Sequence, residues 1–215
     1  AAVIGTGTMA PGIAATLALA GASTTIVSRS GERAARAVSA ARALLRQLEE
    51  NELAAGPAAA AAADRLFSAD DVDAAAGPAD LVIESIVEDM ALKKELFERL
   101  DRAAPPGAIL ASNTSGLSIT EIARGTIRRG RVLTTHFWNP PHLMPLVEVV
   151  MGENTDEAVA ARTMALLREM GKTPVLLRKD RRGQLGNRIQ AALMREAMNI
   201  VQEGIASAED VDRAV

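Results

Sequence analysis

Short uninterrupted apolar runs alternate along this chain with longer stretches at helical spacing, the layout of strands and helices in turn. Ala2-Val3-Ile4 is an apolar run ending in glycines, the form of a strand buried on both faces. Ile13 to Ala20 reads as a small-residue helix stopped by Gly21, and Thr24 to Val27 as a second strand, together a βαβ opening. Glu32 to Glu52 is rich in Arg, Glu and Ala, with Leu44, Leu45 and Leu48 at helical spacing, and predicts a long helix. The alanine tract 54–63, broken by Gly56-Pro57, reads as a low-complexity loop. Leu81-Val82-Ile83 and Ala108 to Ala111 are further strands. Between them Met90 to Ala103 predicts an amphipathic helix with Leu92, Leu96 and Leu100 on its inner face. Ser118 to Ala123 predicts a short helix capped by Ser118.

Arg131 to Thr135 is a strand leading to His136, and Leu146 to Val150 is another, with Glu148 in its middle. Only a short, proline-bearing connection joins them, and a parallel crossover needs a dozen or more residues, so the pair is expected to be antiparallel. Asp156 to Met170 reads as a helix and Thr173 to Leu177 as a last strand. The charged segment Lys179 to Gly183 breaks the pattern and marks a domain boundary. Beyond it, Ile189 to Ile205 forms a helix whose apolar face has nothing of its own to pack on. The expected division is 1–180 and 181–215.

Composition narrows the class. The 215 residues are 48% hydrophobic with a formal net charge of −3, which fits a globular protein and argues against a nucleic-acid partner. No apolar run is long enough for a membrane span and no signal segment is visible, so a cytoplasmic location is expected. With no cysteine and two histidines, neither disulfides nor a metal site is expected.

Two constellations carry chemistry. Gly5-Thr6-Gly7-Thr8-Met9-Ala10-Pro11-Gly12 follows the first strand and opens a helix. Its first glycines permit a tight turn and a close approach of backbone to a pyrophosphate, which the helix N-terminus then binds. An NAD site usually has an acid at the end of the second strand to hold the ribose hydroxyls; here Ser28-Arg29 stands there. Arg29 is open to two readings, pairing with a 2′-phosphate or stacking on adenine, and the missing acid favours NADP(H) over NAD(H). The second constellation is His136 with Glu148 and nearby Asn139. A buried carboxylate needs a partner, and a histidine held by one is a general acid/base. Together the two point to a hydride-transferring dehydrogenase. Glu84, at the end of the third strand, reads equally as a crevice residue or a solvated helix start, and Ser115 equally as a catalytic or a turn residue. Trp138 reads as a wall of the pocket.

On GTGTMAPGIA, VIESIVEDMALKKELFERLD, ASNTSGL, HFWNP, LVEVV and GNR, the chain resembles the L-3-hydroxyacyl-CoA dehydrogenase family over nearly its whole length. The resemblance implies an α/β fold, a Rossmann-like, mostly parallel sheet with helices on both faces and a helical hairpin insertion at about 32–76. It also implies an all-α C-terminal domain, of which only the first helix is present, that makes a homodimer. It implies that His136 is the general acid/base, that Glu148 orients it, that Ser115 and Asn139 bind the oxygen at C3, and that Asn187 contacts the acyl end of an acyl-CoA. Gly5, Gly7, Thr8, Met9 and Gly12, with Ser28, Arg29, Glu88 and Lys93, would line the NAD or NADP site. The chain departs from the family at Arg182-Gly183-Gln184, where Pro-Gly-Phe is frequent. The run Pro140 to Pro145 also resembles relatives that oxidise free hydroxy acids such as gulonate or carnitine. The arginines between Arg33 and Arg46 are open to binding CoA phosphates or to facing solvent. A non-catalytic dinucleotide-binding structural protein is the alternative from another class.

Overall fold

Seven apolar runs form strands, and an eighth strand joins them at one edge. The structure, a computed structural model, describes residues 1–215. The elements run β1 (Ala2–Ile4), α1 (Met9–Leu19), β2 (Thr24–Val27), α2 (Gly31–Glu50), α3 (Gly56–Ala63), β3 (Leu66–Ala69), α4 (Val72–Ala76) and β4 (Leu81–Glu84). They continue with α5 (Met90–Ala103), β5 (Ile109–Ser112), α6 (Ile119–Ile122), β6 (Val132–Phe137), β7 (Leu146–Met151), α7 (Glu157–Glu169), β8 (Thr173–Leu177), α8 (Gly186–Gln202) and α9 (Ala208–Ala214). The sheet order is β3-β2-β1-β4-β5-β6-β7-β8. β1 to β6 are mutually parallel; β7 pairs antiparallel to β6, and β8 parallel to β7. The chain turns back at β7 because the connection from β6 is too short for a crossover. Strand order reverses between β1 and β4, which opens a crevice beyond their C-terminal ends.

Successive strand residues face opposite sides and feed two cores. Val3, Ile26, Ile83 and Ile109 pack under Ile13, Leu17, Leu45 and Leu167, while Ile4, Val27, Val82 and Leu110 pack under Phe97, Leu100 and Ile122. Each fully buried side chain of this kind contributes roughly 1.5–3 kcal/mol.

Five expectations need correction, the last of them the inner face of α5. Helix α1 begins at Met9, not Ile13, so Pro11 sits in its first turn, where a missing N–H costs nothing. The alanine tract is a helix, α3, started by Pro57, with Ala59 and Ala62 buried; alanine's helix propensity carries it. The insertion at 32–76 is not wholly helical, because it holds β3, an edge strand that pairs with β2. Its outer residues Phe67 and Ser68 are exposed, which hid the strand pattern. The last 35 residues contain a second helix, α9, beside α8.

Helix α5 also turns a different face inward. Leu92 is 46% exposed, whereas Lys93, Phe97, Leu100 and Asp101 are buried. Asp101 accepts hydrogen bonds from Arg131 Nη2 (2.8 Å), Arg128 Nε (3.1 Å) and the Ile127 N–H (2.8 Å), tying α5 to the start of β6. Burial pushes the Asp101 carboxyl up, but these donors hold it below the usual range. No helix is long and apolar enough to cross a membrane.

Candidate active site

The turn after β1 is shaped by close packing. Gly5 has φ +124°, and a Cβ there would lie 2.3 Å from the Ser85 carbonyl oxygen, so no other residue fits. A Cβ on Gly7 would meet nothing within 4 Å, which leaves that side of the turn open to a ligand. Thr8 gives helix α1 no side-chain cap; the Ala10 N–H turns back to the Gly7 carbonyl at 3.3 Å and Pro11 has none, which leaves the Met9 N–H at the helix start to meet an anion. These features line a cavity of about 700 Å³ that also meets Met9, Ser28, Arg29, Ser30 and Arg33 on one side and Leu92, Leu96 and Arg99 on the other. The turn, the helix terminus and the cationic end of the cavity fit a dinucleotide. Leu92 and Leu96, expected in the core, form its apolar wall.

A second cavity of about 420 Å³ adjoins the first, sharing Met9, Ser85 and Ile86. It is lined by Glu88, Asn113, Ser115, His136, Trp138, Asn139 and Asn187. The antiparallel register sets His136 opposite Glu148, and His136 Nδ1 lies 2.7 Å from Glu148 Oε2. Trp138 Nε1 donates to the same oxygen at 3.2 Å. The backbone N–H groups of Leu185 and Gly186 donate to Oε1 at 2.8 and 3.0 Å. Burial pushes the Glu148 carboxyl up, but His136 and the two N–H groups outweigh it and hold it down at about 2. With Nδ1 committed to this carboxylate, Nε2 is the imidazole nitrogen left for a substrate.

The floor between the cavities is ionic. Glu84 is fully buried, not solvated, and accepts from Lys93 Nζ (2.5 Å), the Ser112 hydroxyl (2.6 Å) and the Ile86 N–H (2.7 Å). Lys93 also pairs with Glu88 at 3.2 Å. Glu88 accepts from the Thr114 hydroxyl (2.6 Å), the Ser115 N–H (2.9 Å) and the Ser115 hydroxyl (3.3 Å). Burial raises the Glu88 carboxyl, yet Thr114 and Lys93 bring it below its ordinary value.

Most residues singled out in the sequence converge. Gly5, Gly7, Thr8, Met9, Ser28 and Arg29 line the first cavity, and Ser115, His136, Asn139, Asn187 and Glu88 the second. Two do not. Gly12 lies away from both, and a Cβ there would strike Pro141 Cγ at 2.6 Å, so this glycine lets the β6–β7 loop sit on α1. Lys93 is 1% exposed and reaches the cavities only through Glu84 and Glu88. Asn113 and the indole N–H of Trp138 were not singled out, and Arg33 was read only among the helix arginines open to CoA phosphates or solvent, not as a lining of the dinucleotide crevice. Arg33 lies in the first turn of α2, which Ser30 caps directly after Ser28-Arg29, and that helix start was the available signal. Asn113 Oδ1 accepts the Phe137 N–H at 2.9 Å, a contact across strand ends that no local pattern announces. The arginines of α2 divide: Arg33 lines the cavity, Arg36 pairs with Glu32, and Arg42 holds the carbonyls of Ala63 and Leu66.

Fold and cavities define a dinucleotide-binding α/β domain of the Rossmann-like class, followed by the two helices α8 and α9. The family model for "3-hydroxyacyl-CoA dehydrogenase, NAD binding domain" matches residues 1–181, and that for the same family's C-terminal domain matches 183–215. The chain belongs to the 3-hydroxyacyl-CoA dehydrogenase family, whose members are oxidoreductases acting on CH–OH groups. It is 36% identical over 215 residues to a 5-formyl-3-hydroxy-2-methylpyridine 4-carboxylate 5-dehydrogenase of Mesorhizobium japonicum, covering 100% of this chain and 68% of that protein. It is 49% identical over 137 residues to a probable 3-hydroxybutyryl-CoA dehydrogenase of Bacillus subtilis, covering 64% of this chain and 47% of that protein. The crystal structure of 3-hydroxybutyryl-CoA dehydrogenase from Escherichia coli K12 superposes with a TM-score of 0.90 at 35% identity, covering 96% of this chain and 43% of that one. The chain thus spans about half to two thirds of the length of these relatives.

Proposed function

We propose that the protein transfers a hydride between C3 of an L-3-hydroxyacyl-CoA and a nicotinamide cofactor, with His136 as general acid/base. The observation that carries this reading is the 2.7 Å His136–Glu148 pair in a cavity continuous with the dinucleotide crevice. In the oxidative direction His136 Nε2 takes the C3 hydroxyl proton, and Glu148, ionised at any ordinary pH, compensates the imidazolium that forms. Asn139 and Ser115 hydrogen-bond the oxygen on which charge develops. Asn187, whose Nδ2 donates to the Ser115 carbonyl at 3.2 Å, brings the 181–215 unit to the acyl end of the substrate. The bound nicotinamide supplies the hydride acceptor or donor. The test is acetoacetyl-CoA-dependent oxidation of NADPH and of NADH by the full-length protein. Turnover with either is expected; none with both, while cofactor still binds, would overturn the acyl-CoA reading.

We further infer a preference for NADP(H). Ser28, Arg29 and Arg33 line one end of the crevice, and no carboxylate ends β2 to receive ribose hydroxyls. A higher kcat/KM for NADPH than for NADH in the same assay is the expected result. A free hydroxy acid is the second reading of the substrate, favoured by 39% identity over 160 residues to an L-carnitine dehydrogenase of Streptomyces coelicolor; turnover of free 3-hydroxy acids but not of CoA esters would establish it. We also place the domain division at residue 180 and homodimerisation on the 181–215 unit.

A further inference from the structure

The carboxylate of Glu148 has all its acceptor positions filled, and the donors come from two parts of the chain. Oε2 faces His136 and Trp138 at the end of β6, while Oε1 faces the backbone that opens α8. Trp138 meets three members of this group, His136, Glu148 and Gly186. Its ring centroid is 5.6 Å from that of His136, its Nε1 donates to Glu148, and its six-membered ring occupies the space beside Gly186. A Cβ on Gly186 would lie 2.2 Å from Trp138 Cζ2, so the indole and a side chain there exclude one another. A plain pocket wall needs only an aromatic ring, and phenylalanine would serve. An indole N–H aimed at the oxygen that holds the general base does more.

We propose that Trp138 is a positioning residue for the His136–Glu148 pair, and that Gly186 is side-chain-free so that the indole can hold this place while α8 docks on the same carboxylate. By sharing Oε2 with His136, Trp138 fixes the carboxylate's rotation and moderates its pull on the imidazole. Removing that N–H leaves Oε2 to His136 alone and strengthens the pull. The other ionisable group facing the pair is Glu88 across the cavity, with Lys93 behind it. This inference rests on His136 being the general acid/base.

The test is the pH dependence of kcat/KM for oxidation of 3-hydroxybutyryl-CoA by the full-length protein and its Trp138→Phe, Gly186→Ala and His136→Ala variants. Trp138→Phe removes the donor and keeps a ring. Gly186→Ala keeps the indole but displaces it. Both are expected to move the acid limb upward by roughly half a pH unit and to lower kcat by roughly tenfold, with KM little changed. In the Trp138→Phe background, Gly186→Ala should add little, because the two act through one contact. Thermal unfolding of each variant shows that it is folded, and either single variant suffices if the other is not. An unmoved acid limb in a folded variant, with His136→Ala inactive, overturns the role of Trp138 and leaves the acid/base reading standing. Native turnover in His136→Ala overturns both.

Discussion

A carboxylate surrounded by four donors differs from one in water, and Glu148 carries two consequences at the residue scale. Its carboxyl sits at about 2 in the fold against an ordinary 4.5, so it stabilises the folded state fully above pH 4.5. That contribution, on the order of 3 kcal/mol, is lost as pH falls from 4.5 toward 2. Urea unfolding across this window should show native stability falling with acid and a flatter response in Glu148→Gln. The same substitution keeps an acceptor for Leu185 and Gly186 but can turn an amide toward His136 Nδ1. Turnover should fall by roughly 10²-fold or more with the fold retained; near-native kcat would remove Glu148 from the mechanism. The His136–Glu148 pairing was legible because an antiparallel turn-back sets residues opposite one another. The Leu185 and Gly186 donors were not, since backbone N–H groups carry no residue identity.

At the scale of elements, helix α5 shows where periodicity misleads. Its leucines announce an apolar face, yet two of them border the crevice while Lys93 and Asp101 point inward. An inward charge reads as an outward one until its partners are known, and Glu84, Arg128 and Arg131 arrive from other strands and loops. Breaking such a pair leaves charge buried without compensation. Asp101→Asn is therefore expected to cost about 3 kcal/mol, read as a lower Tm, whereas Lys94→Gln on the half-exposed side of the same helix should change it little. Strand β3 escaped notice for a related reason: an edge strand with one buried residue, Leu66, lacks the apolar run that marks central strands.

For the whole molecule, the parallel sheet, its switch between β1 and β4 and the turn-back at β7 were readable from the order of apolar runs and the length of connections. What the last 35 residues do was less so, because little of the chain packs on them to reveal which face is used. Helix α8 has no buried residue, and Ile189, Met194 and Met198 are each more than half exposed. If this face joins two copies, light scattering of the full-length protein should give a dimer, and Met198→Glu should shift it toward the monomer.

Trp138 is the chain's single tryptophan. Its ring tilts 48° to that of His136, the group assigned to the proton transfer, with the two centroids 5.6 Å apart. An imidazolium quenches a neighbouring indole more than an imidazole does, so the intrinsic fluorescence of this chain becomes a readout of the general base. A pH titration of emission should trace the ionisation of His136 without any substrate, and His136→Ala should abolish the transition. The chain thus carries its own optical probe at the centre of its proposed chemistry.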